Sequence, residues 1–234
     1  MKAVILAGGY GKRLRPYTEN TPKVLLPVAD KSILEWQLNW LKHYGLAEIL
    51  ICAGYLKEKI IAEIGSGVKY GVKVGYVVED EPLGTGGALK NAEHILRNEE
   101  KFIVVNGDIL TDLDPRVLLD SLDEGYLGAI ALVQLPSPFG IVKFDPESLR
   151  ILSFVEKPRI SEYWINAGVY AFRGDVFDYV PEKGDIEKTA LPELALRGAL
   201  KAYLFKESFW MSIDSHKDLE EASKRVPSLE IFKR

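Results

Sequence analysis

Short apolar runs alternate with segments of helical period through the first half of the chain. Ala3–Leu6, Ile49–Ala53, Val74–Val78, Phe102–Val105 and Ala129–Gln134 read as buried strands. Between them, Ser32–Tyr44, Leu56–Ile64, Thr85–Leu96 and Pro115–Leu122 read as helices. Ser32 followed by Glu35 makes a capping box, and Asp114 before Pro115 makes an N-cap with a first-turn proline. Strands alternating with helices predict an α/β fold with a mainly parallel sheet joined by crossover helices.

The second half is less regular. Ile141–Phe144, Ile151–Val155, Asn166–Phe172 and Ala202–Phe205 read as strands, and Asp175–Tyr179, Leu191–Leu196 and His216–Lys224 as short helices. Pro136-Ser137-Pro138 is too short for a flexible tether and divides one domain, 1–234, into two closely packed lobes, 1–135 and a smaller 136–234.

Composition narrows the function classes. Hydrophobic content of 47% and charged content of 27% over 234 residues suit a globular chain with a full core. A net charge of -4 gives no global field for nucleic acid or membrane. The single cysteine, Cys52, lies in the apolar run 49–53 and reads as a small buried hydrophobe, so no disulfide framework forms within the chain. No apolar run approaches spanning length, and a strand begins almost at Met1 with no room for a signal peptide. A cytoplasmic location is the expectation.

The most informative chemistry follows the first strand. In Leu6-Ala7-Gly8-Gly9-Tyr10-Gly11-Lys12-Arg13, glycines leave backbone N–H groups uncovered, and successive uncovered amides cradle anions. Arg13 adds a forked donor, and Lys23, pinned between Pro22 and Pro27, adds a point charge with little freedom to lose. The spacing is neither a P-loop nor G-x-G-x-x-G, because Leu14 stands where the third glycine belongs. Read alone, it is either a polyphosphate cradle or a tight turn with surface cations.

From Leu6 to Val28 the chain carries L-A-G-G-x-G-x-R-L-x-P-x-T-x-x-x-P-K-x-x-x-P-V unbroken, and here it resembles the sugar-1-phosphate nucleotidyltransferases. The resemblance implies a Rossmann-like nucleotide-diphospho-sugar transferase fold with a nucleotide lobe and a sugar lobe. It also implies that Gly8, Gly9 and Gly11, with Leu6, hold the nucleotide, while Arg13 and Lys23 act on its phosphates. Some members carry C-terminal hexapeptide β-helix repeats; no segment of this sequence reads that way.

Later motifs extend the resemblance. Asn106-Gly107-Asp108 ends an apolar strand, where open α/β sheets bind ligands, and an aspartate there is either a turn residue or a magnesium ligand. The family pattern makes Asp108 catalytic and a ligand of Mg²⁺. The glycine-rich run from Glu81 to Leu89 opens a helix and is either a loop that approaches a ligand or a connection with small residues for packing; in the family it frames the base, with Gly84 at close approach and Thr85 on the nucleotide. Glu79 then lies at the base edge. A carboxylate accepts hydrogen bonds only, which suits the paired donors of guanine better than thymine or uracil and favours GTP. The P-L-G-T-G-G wording is closest to mannose- and heptose-1-phosphate guanylyltransferases. Glu156-Lys157-Pro158, Asn166-Ala167-Gly168 and Phe139-Gly140 match the sugar-side motifs, which assigns Gly140, Glu156, Lys157, Asn166 and Gly168 to the sugar phosphate.

One motif departs. Where many members read W-x-D-I-G, this chain has Trp210-Met211-Ser212-Ile213-Asp214, so Asp214 is expected as the second metal ligand. Cytidylyltransferases share an aspartate four residues after the tryptophan, which keeps CTP open. The reaction implied joins an NTP and a sugar-1-phosphate and releases pyrophosphate, with Mg²⁺ as cofactor. GTP and mannose-1-phosphate are favoured; uridylyl-, thymidylyl- or cytidylyl transfer to glucose-1-phosphate or another phosphorylated small molecule is the alternative. A non-catalytic sensor subunit and a glycosyltransferase using Asp112-Leu113-Asp114 are rivals of other classes; the spacing of the latter reads better as a helix cap. A homo-oligomer stays open.

Overall fold

The structure, a computed structural model, describes residues 2–233. Strand β1 (Lys2–Ala7) runs into the glycine loop; β2 (Pro27–Val28) and β3 (Lys31–Ser32) form a small ribbon before α1 (Ile33–His43). There follow β4 (Glu48–Ala53), α2 (Lys57–Ile64), β5 (Lys73–Val78), α3 (Gly84–Asn91) and α4 (Glu93–Leu96). Strands β6 (Phe102–Asn106) and β7 (Ile109–Thr111) flank the turn at Gly107-Asp108, and α5 (Arg116–Asp120) leads to β8 (Gly128–Pro136). Then come the hairpin β9 (Ile141–Phe144) and β10 (Ile151–Val155), the long β11 (Arg159–Phe172), α6 (Ala190–Leu196), β12 (Leu200–Phe205), β13 (Trp210–Ser212) and α7 (His216–Arg225).

Seven strands form the central sheet in the order β12-β8-β11-β6-β1-β4-β5. It is mixed and mainly parallel: β1 pairs parallel with β4 and β6, β4 with β5, and β12 with β8, while β11 runs antiparallel between β6 and β8. Register sets the site. Leu6 lies opposite both Cys52 and Asn106, so β1, β4 and β6 end level and deliver their loops to one edge.

Alternate residues of β1 serve the two faces. Ala3, Ile5 and Ala7 pack under α1 with Leu34, Leu38 and Leu41, while Val4 and Leu6 pack on Ala88 and Leu89 of α3. Each such aliphatic side chain contributes roughly 1.5–3 kcal/mol on burial. Cys52 belongs to the second of these clusters, and burial pushes its thiol up to about 12, so it packs as a hydrophobe. The Ser32–Glu35 capping box forms as expected, with Ser32 N–H donating to Glu35 at 2.7 Å. Helix α1 also places polar tips in the interior: Trp36 donates to Val28 O and Trp40 to Leu113 O, each at 2.8 Å.

Several expected elements are redrawn. The Thr85–Leu96 helix breaks at Ala92, where Ala92 N–H tightens onto Leu89 O and Asn91 turns its carboxamide to Val78 O. Asp175–Tyr179 is a 3-10 turn over Gly174–Asp178, with Gly174 backed against the Arg97 carbonyl. Strand β11 starts at Arg159 rather than Asn166, because its first residues pair with the end of β8. Strands from both sides of Pro136 share the one sheet. Hairpin β9–β10 forms a separate two-stranded sheet with Val142, Phe144, Ile151 and Phe154 exposed.

Candidate active site

A cleft of about 400 Å³ opens at the edge where β1, β5 and β6 end. The glycine loop 8–11, Arg13, Lys23, Glu79, Gly84, Thr85, Asp108 and Asp214 all line it, so residues more than two hundred positions apart meet at one place.

Asp108 and Asp214 are joined by a short ladder. Strand β7 pairs antiparallel with β13, Ile109 opposite Ser212, and Ile213 N–H donates to Asp108 O at 2.9 Å. This carries the two carboxylates to opposite sides of one ammonium. Lys23 Nζ donates to Asp108 Oδ2 at 2.7 Å and to Asp214 Oδ1 at 3.0 Å. Arg13, otherwise largely exposed, donates to the same Asp214 Oδ1 at 2.7 Å. The remaining oxygen of Asp214 accepts the Ser212 hydroxyl at 2.6 Å. Burial alone would raise the Asp214 carboxyl; the Ser212, Lys23 and Arg13 donors outweigh it and hold it below the ordinary aspartate value.

The Gly107-Asp108 turn is held from below by a residue outside the sequence motifs. Gln37 on α1 is buried and donates through Nε2 to Asn106 O at 3.0 Å and to Ile109 O at 2.8 Å. Its only advance signal is a lone amide on the apolar face of a helix. Above the turn, Gly107 N–H donates to Leu6 O at 3.0 Å.

Glu79 stands at the other end of the cleft. Its carboxylate is lodged between Gly8 and Gly54, each of which would overlap it if it carried a Cβ. Oε2 is buried and unpartnered, as is Asn106 Oδ1 farther along the wall. Burial raises the Glu79 carboxyl above the usual range, partly offset by the Leu83 amide and Lys57. A buried acceptor without a donor is costly unless something else supplies one.

The glycines of the second loop have a double use. Gly84 has φ +79, and a Cβ there would meet Gly184 O at 2.6 Å. The N–H groups of Gly86 and Gly87 both donate to that carbonyl, at 2.8 and 3.2 Å. Packing against residues 181–185 therefore uses amides that a free helix start would offer to a ligand. Asp185, in that segment, also lines the cleft. Asp112 and Asp114 are committed locally, accepting from Phe209 N–H at 2.8 Å and Arg116 N–H at 2.9 Å.

The sugar-side candidates divide into two groups. Asn166 and Gly168 lie beside the cleft, with Gly168 against the Asn106 side chain and Trp210 donating to Ala167 O at 2.8 Å. Gly140, Glu156 and Lys157 sit at the exposed foot of the β9–β10 hairpin, with Lys157 Nζ 3.7 Å from Glu156 Oε1.

The comparisons with known proteins agree with this architecture. Mannose-1-phosphate guanyltransferase beta-B of Xenopus laevis is 37% identical over 93% of this chain and 62% of its own length. The mannose-1-phosphate guanylyltransferase catalytic subunit beta of Drosophila melanogaster is 38% identical over 93% of this chain and 60% of its length. The chain thus spans about three fifths of these relatives. Among solved structures, HddC from Yersinia pseudotuberculosis complexed with GMP-PN superposes with a TM-score of 0.77 at 30% identity, covering 96% of this chain and 99% of that one. A glucose-1-phosphate thymidylyltransferase of Bacillus anthracis, described as putative and complexed with a sucrose, gives 0.77 at 26% identity, covering 98% and 96%. The central sheet is therefore that of the nucleotide-diphospho-sugar transferase fold. The nucleotidyl transferase family matches residues 2–228, and the chain belongs to that family.

Proposed function

We propose that this chain condenses GTP with a sugar-1-phosphate, mannose-1-phosphate being favoured, to give a GDP-sugar and pyrophosphate. The observation that carries the reading is the meeting, in one cleft, of the glycine loop after β1, Lys23 and the two carboxylates of Asp108 and Asp214. In-line attack of a sugar-phosphate oxygen on an α-phosphorus asks little covalent help from a protein and much positioning and charge neutralisation.

In this reading the amides of Gly8, Gly9 and Gly11 receive the phosphates. Arg13 stabilises the departing pyrophosphate, and Lys23 neutralises the α-phosphate. Glu79, on the wall of the cleft, offers its carboxylate to the N1–H and 2-amino donors of guanine. Leu6, Gly84 and Thr85 wall the nucleotide, within the proposed nucleotide lobe 1–135. Lys157 holds the incoming phosphate, Glu156 the sugar hydroxyls, and Gly140, Asn166 and Gly168 the rest of the sugar, in the lobe 136–234.

Asp108 and Asp214 suit Mg²⁺. Both are hard oxygen donors, and they already share one cation, the Lys23 ammonium, between them. Bound there, Mg²⁺ would bring the two phosphate anions together and withdraw charge from them. A cytoplasmic setting is proposed with this substrate pair. The Trp210-to-Asp214 spacing favours cytidylyl transfer as the second reading.

Pyrophosphate release from GTP, CTP, UTP, dTTP and ATP against a set of sugar-1-phosphates with Mg²⁺ tests both. GTP with mannose-1-phosphate is expected to be the fastest pair. A fastest pair containing CTP selects the second reading, and no release from any pair overturns both.

A further inference from the structure

Thr85 and Asn166 are placed above on the nucleotide and the sugar sides of the site, and one carboxylate ties them together. The Thr85 hydroxyl accepts Ile186 N–H at 3.0 Å and donates to Glu187 Oε2 at 2.6 Å. The other oxygen of Glu187, Oε1, accepts the Tyr170 hydroxyl at 3.2 Å. Tyr170 in turn accepts from Asn166 Nδ2 at 2.7 Å, and Asn166 Oδ1 accepts Gly168 N–H at 2.9 Å. Every donor in this network points toward Glu187, so the two branches end on one carboxylate.

The link is rigid at its centre. Tyr170 is fully buried on β11 and held in register opposite Val104 of β6, the strand that leads to Asp108. Burial and the Glu187 carboxylate hold its phenol above the ordinary tyrosine value, so the O–H remains a donor. The segment bearing Glu187 is itself clamped to the second glycine loop, since Gly184 accepts from Gly86 and Gly87 and donates to Leu83 O at 2.7 Å. Both oxygens of Glu187 are spent inside the protein, which gives it a positioning role rather than a ligand.

We infer that Glu187 is a positioning residue that sets the nucleotide loop, through Thr85, and the sugar strand, through Tyr170 and Asn166, in one fixed relation. The inference rests on the proposed reading of those two subsites. Charge-assisted hydrogen bonds of this kind make about a tenfold difference each when cut.

The branches are separable by substitution. Tyr170→Phe cuts only the sugar branch and is expected to raise KM for the sugar-1-phosphate about tenfold while leaving KM for the nucleotide within about twofold. Thr85→Val is expected to do the reverse, and Glu187→Leu to raise both. Adding Tyr170→Phe to Glu187→Leu should raise the sugar KM no further, because both act on one branch. A loss of folded protein would lower kcat without this split. Amide exchange on the protein alone supplies a substrate-free reading: Tyr170→Phe should speed exchange at Gly168 and not at Gly86 or Gly87, and Glu187→Leu at all three. If Glu187→Leu does not fold, the two branch variants still decide. A Tyr170→Phe protein that alters both KM values alike, or neither, with unchanged exchange at Gly168, overturns the link. Absence of turnover with any wild-type substrate pair overturns the functional reading instead, and the exchange pattern then judges the link by itself.

Discussion

The Ser212 hydroxyl holds Asp214 Oδ2 at 2.6 Å and leaves Oδ1 facing Lys23 and Arg13. The serine at 212 thus orients the carboxylate two residues on. Removing an orienting partner of a metal-binding carboxylate typically weakens the metal by one order of magnitude or more. Ser212→Ala is expected to raise the half-saturating Mg²⁺ concentration about tenfold with little change in the maximal rate. Asp214→Ala should lose turnover at every Mg²⁺ concentration. An unchanged Mg²⁺ curve for Ser212→Ala would show that the hydroxyl orients nothing.

Lys23 and Asp108 stand at the centre of the same arrangement. The Lys23 side chain is 13% exposed, which fixes its ammonium between the carboxylates. Lys23→Ala and Asp108→Ala should each cost roughly 100-fold or more in turnover, the scale of losing one preorganised charge at a reacting phosphate. Circular dichroism should show the fold intact. Near wild-type pyrophosphate release by either variant would refute these assignments.

The parallel strands and their glycine loop were legible because β1, β4 and β6 are continuous apolar runs that end in turn residues. The pairing that joins Asp108 to Asp214 was not. Strands β7 and β13 have three residues each, too few for a period to register. Glu187 was hidden for another reason: Asp185-Ile186-Glu187-Lys188 reads as an ordinary solvated run, and only tertiary contact brings its carboxylate to Thr85 and Tyr170. The glycine-rich run 81–89 leaves ligand approach and packing both open in the sequence, and at Gly84, Gly86 and Gly87 much of the close approach is to the backbone near Gly184. Gln37 is a buried amide in an apolar helix face, a place where the Nε2 donor has to find a carbonyl, although its Oε1 meets no donor.

That amide supplies the next test. Gln37→Leu keeps most of the volume but leaves the carbonyls of Asn106 and Ile109 without the donor they share. Each unsatisfied buried acceptor costs about 1–3 kcal/mol. The melting temperature should fall, and the turnover of the remaining folded protein should drop about tenfold as the Asp108 turn loosens. A destabilised protein with full turnover per folded molecule would mean that Gln37 supports the core but not the site.

Stability should report the Asp214 environment through pH. Its folded-state carboxyl titrates below the ordinary value, so the unfolded chain takes up a proton first as pH falls. The contribution is complete above the unfolded aspartate pKa of about 3.9 and is lost as pH falls through the lower folded value. Urea denaturation of the wild type and Asp214→Asn should show a constant wild-type advantage near neutrality that shrinks below about pH 4. An advantage independent of pH would place the effect in packing rather than in charge.

Base choice turns on Glu79. It lines the cleft, and its carboxylate is fixed between Gly8 and Gly54, so the acceptor edge has little freedom to turn. Guanine fills that edge with two adjacent donors, whereas uracil and thymine bring one donor flanked by acceptors that a carboxylate repels. Glu79→Gln replaces one acceptor with a donor and so matches the pyrimidine edge at the expense of the guanine one. A site built to bond a group rejects ligands lacking it because its own buried polar atom is left unpaired. The ratio of kcat/KM for GTP over UTP should therefore fall by about tenfold or more in Glu79→Gln, with Mg²⁺ dependence unchanged. The kinetic ratio, measured with one sugar-1-phosphate held saturating, decides the matter. If the ratio stays at its wild-type value, the carboxylate serves the packing of Gly8 and Gly54 and the base is read elsewhere in the cleft.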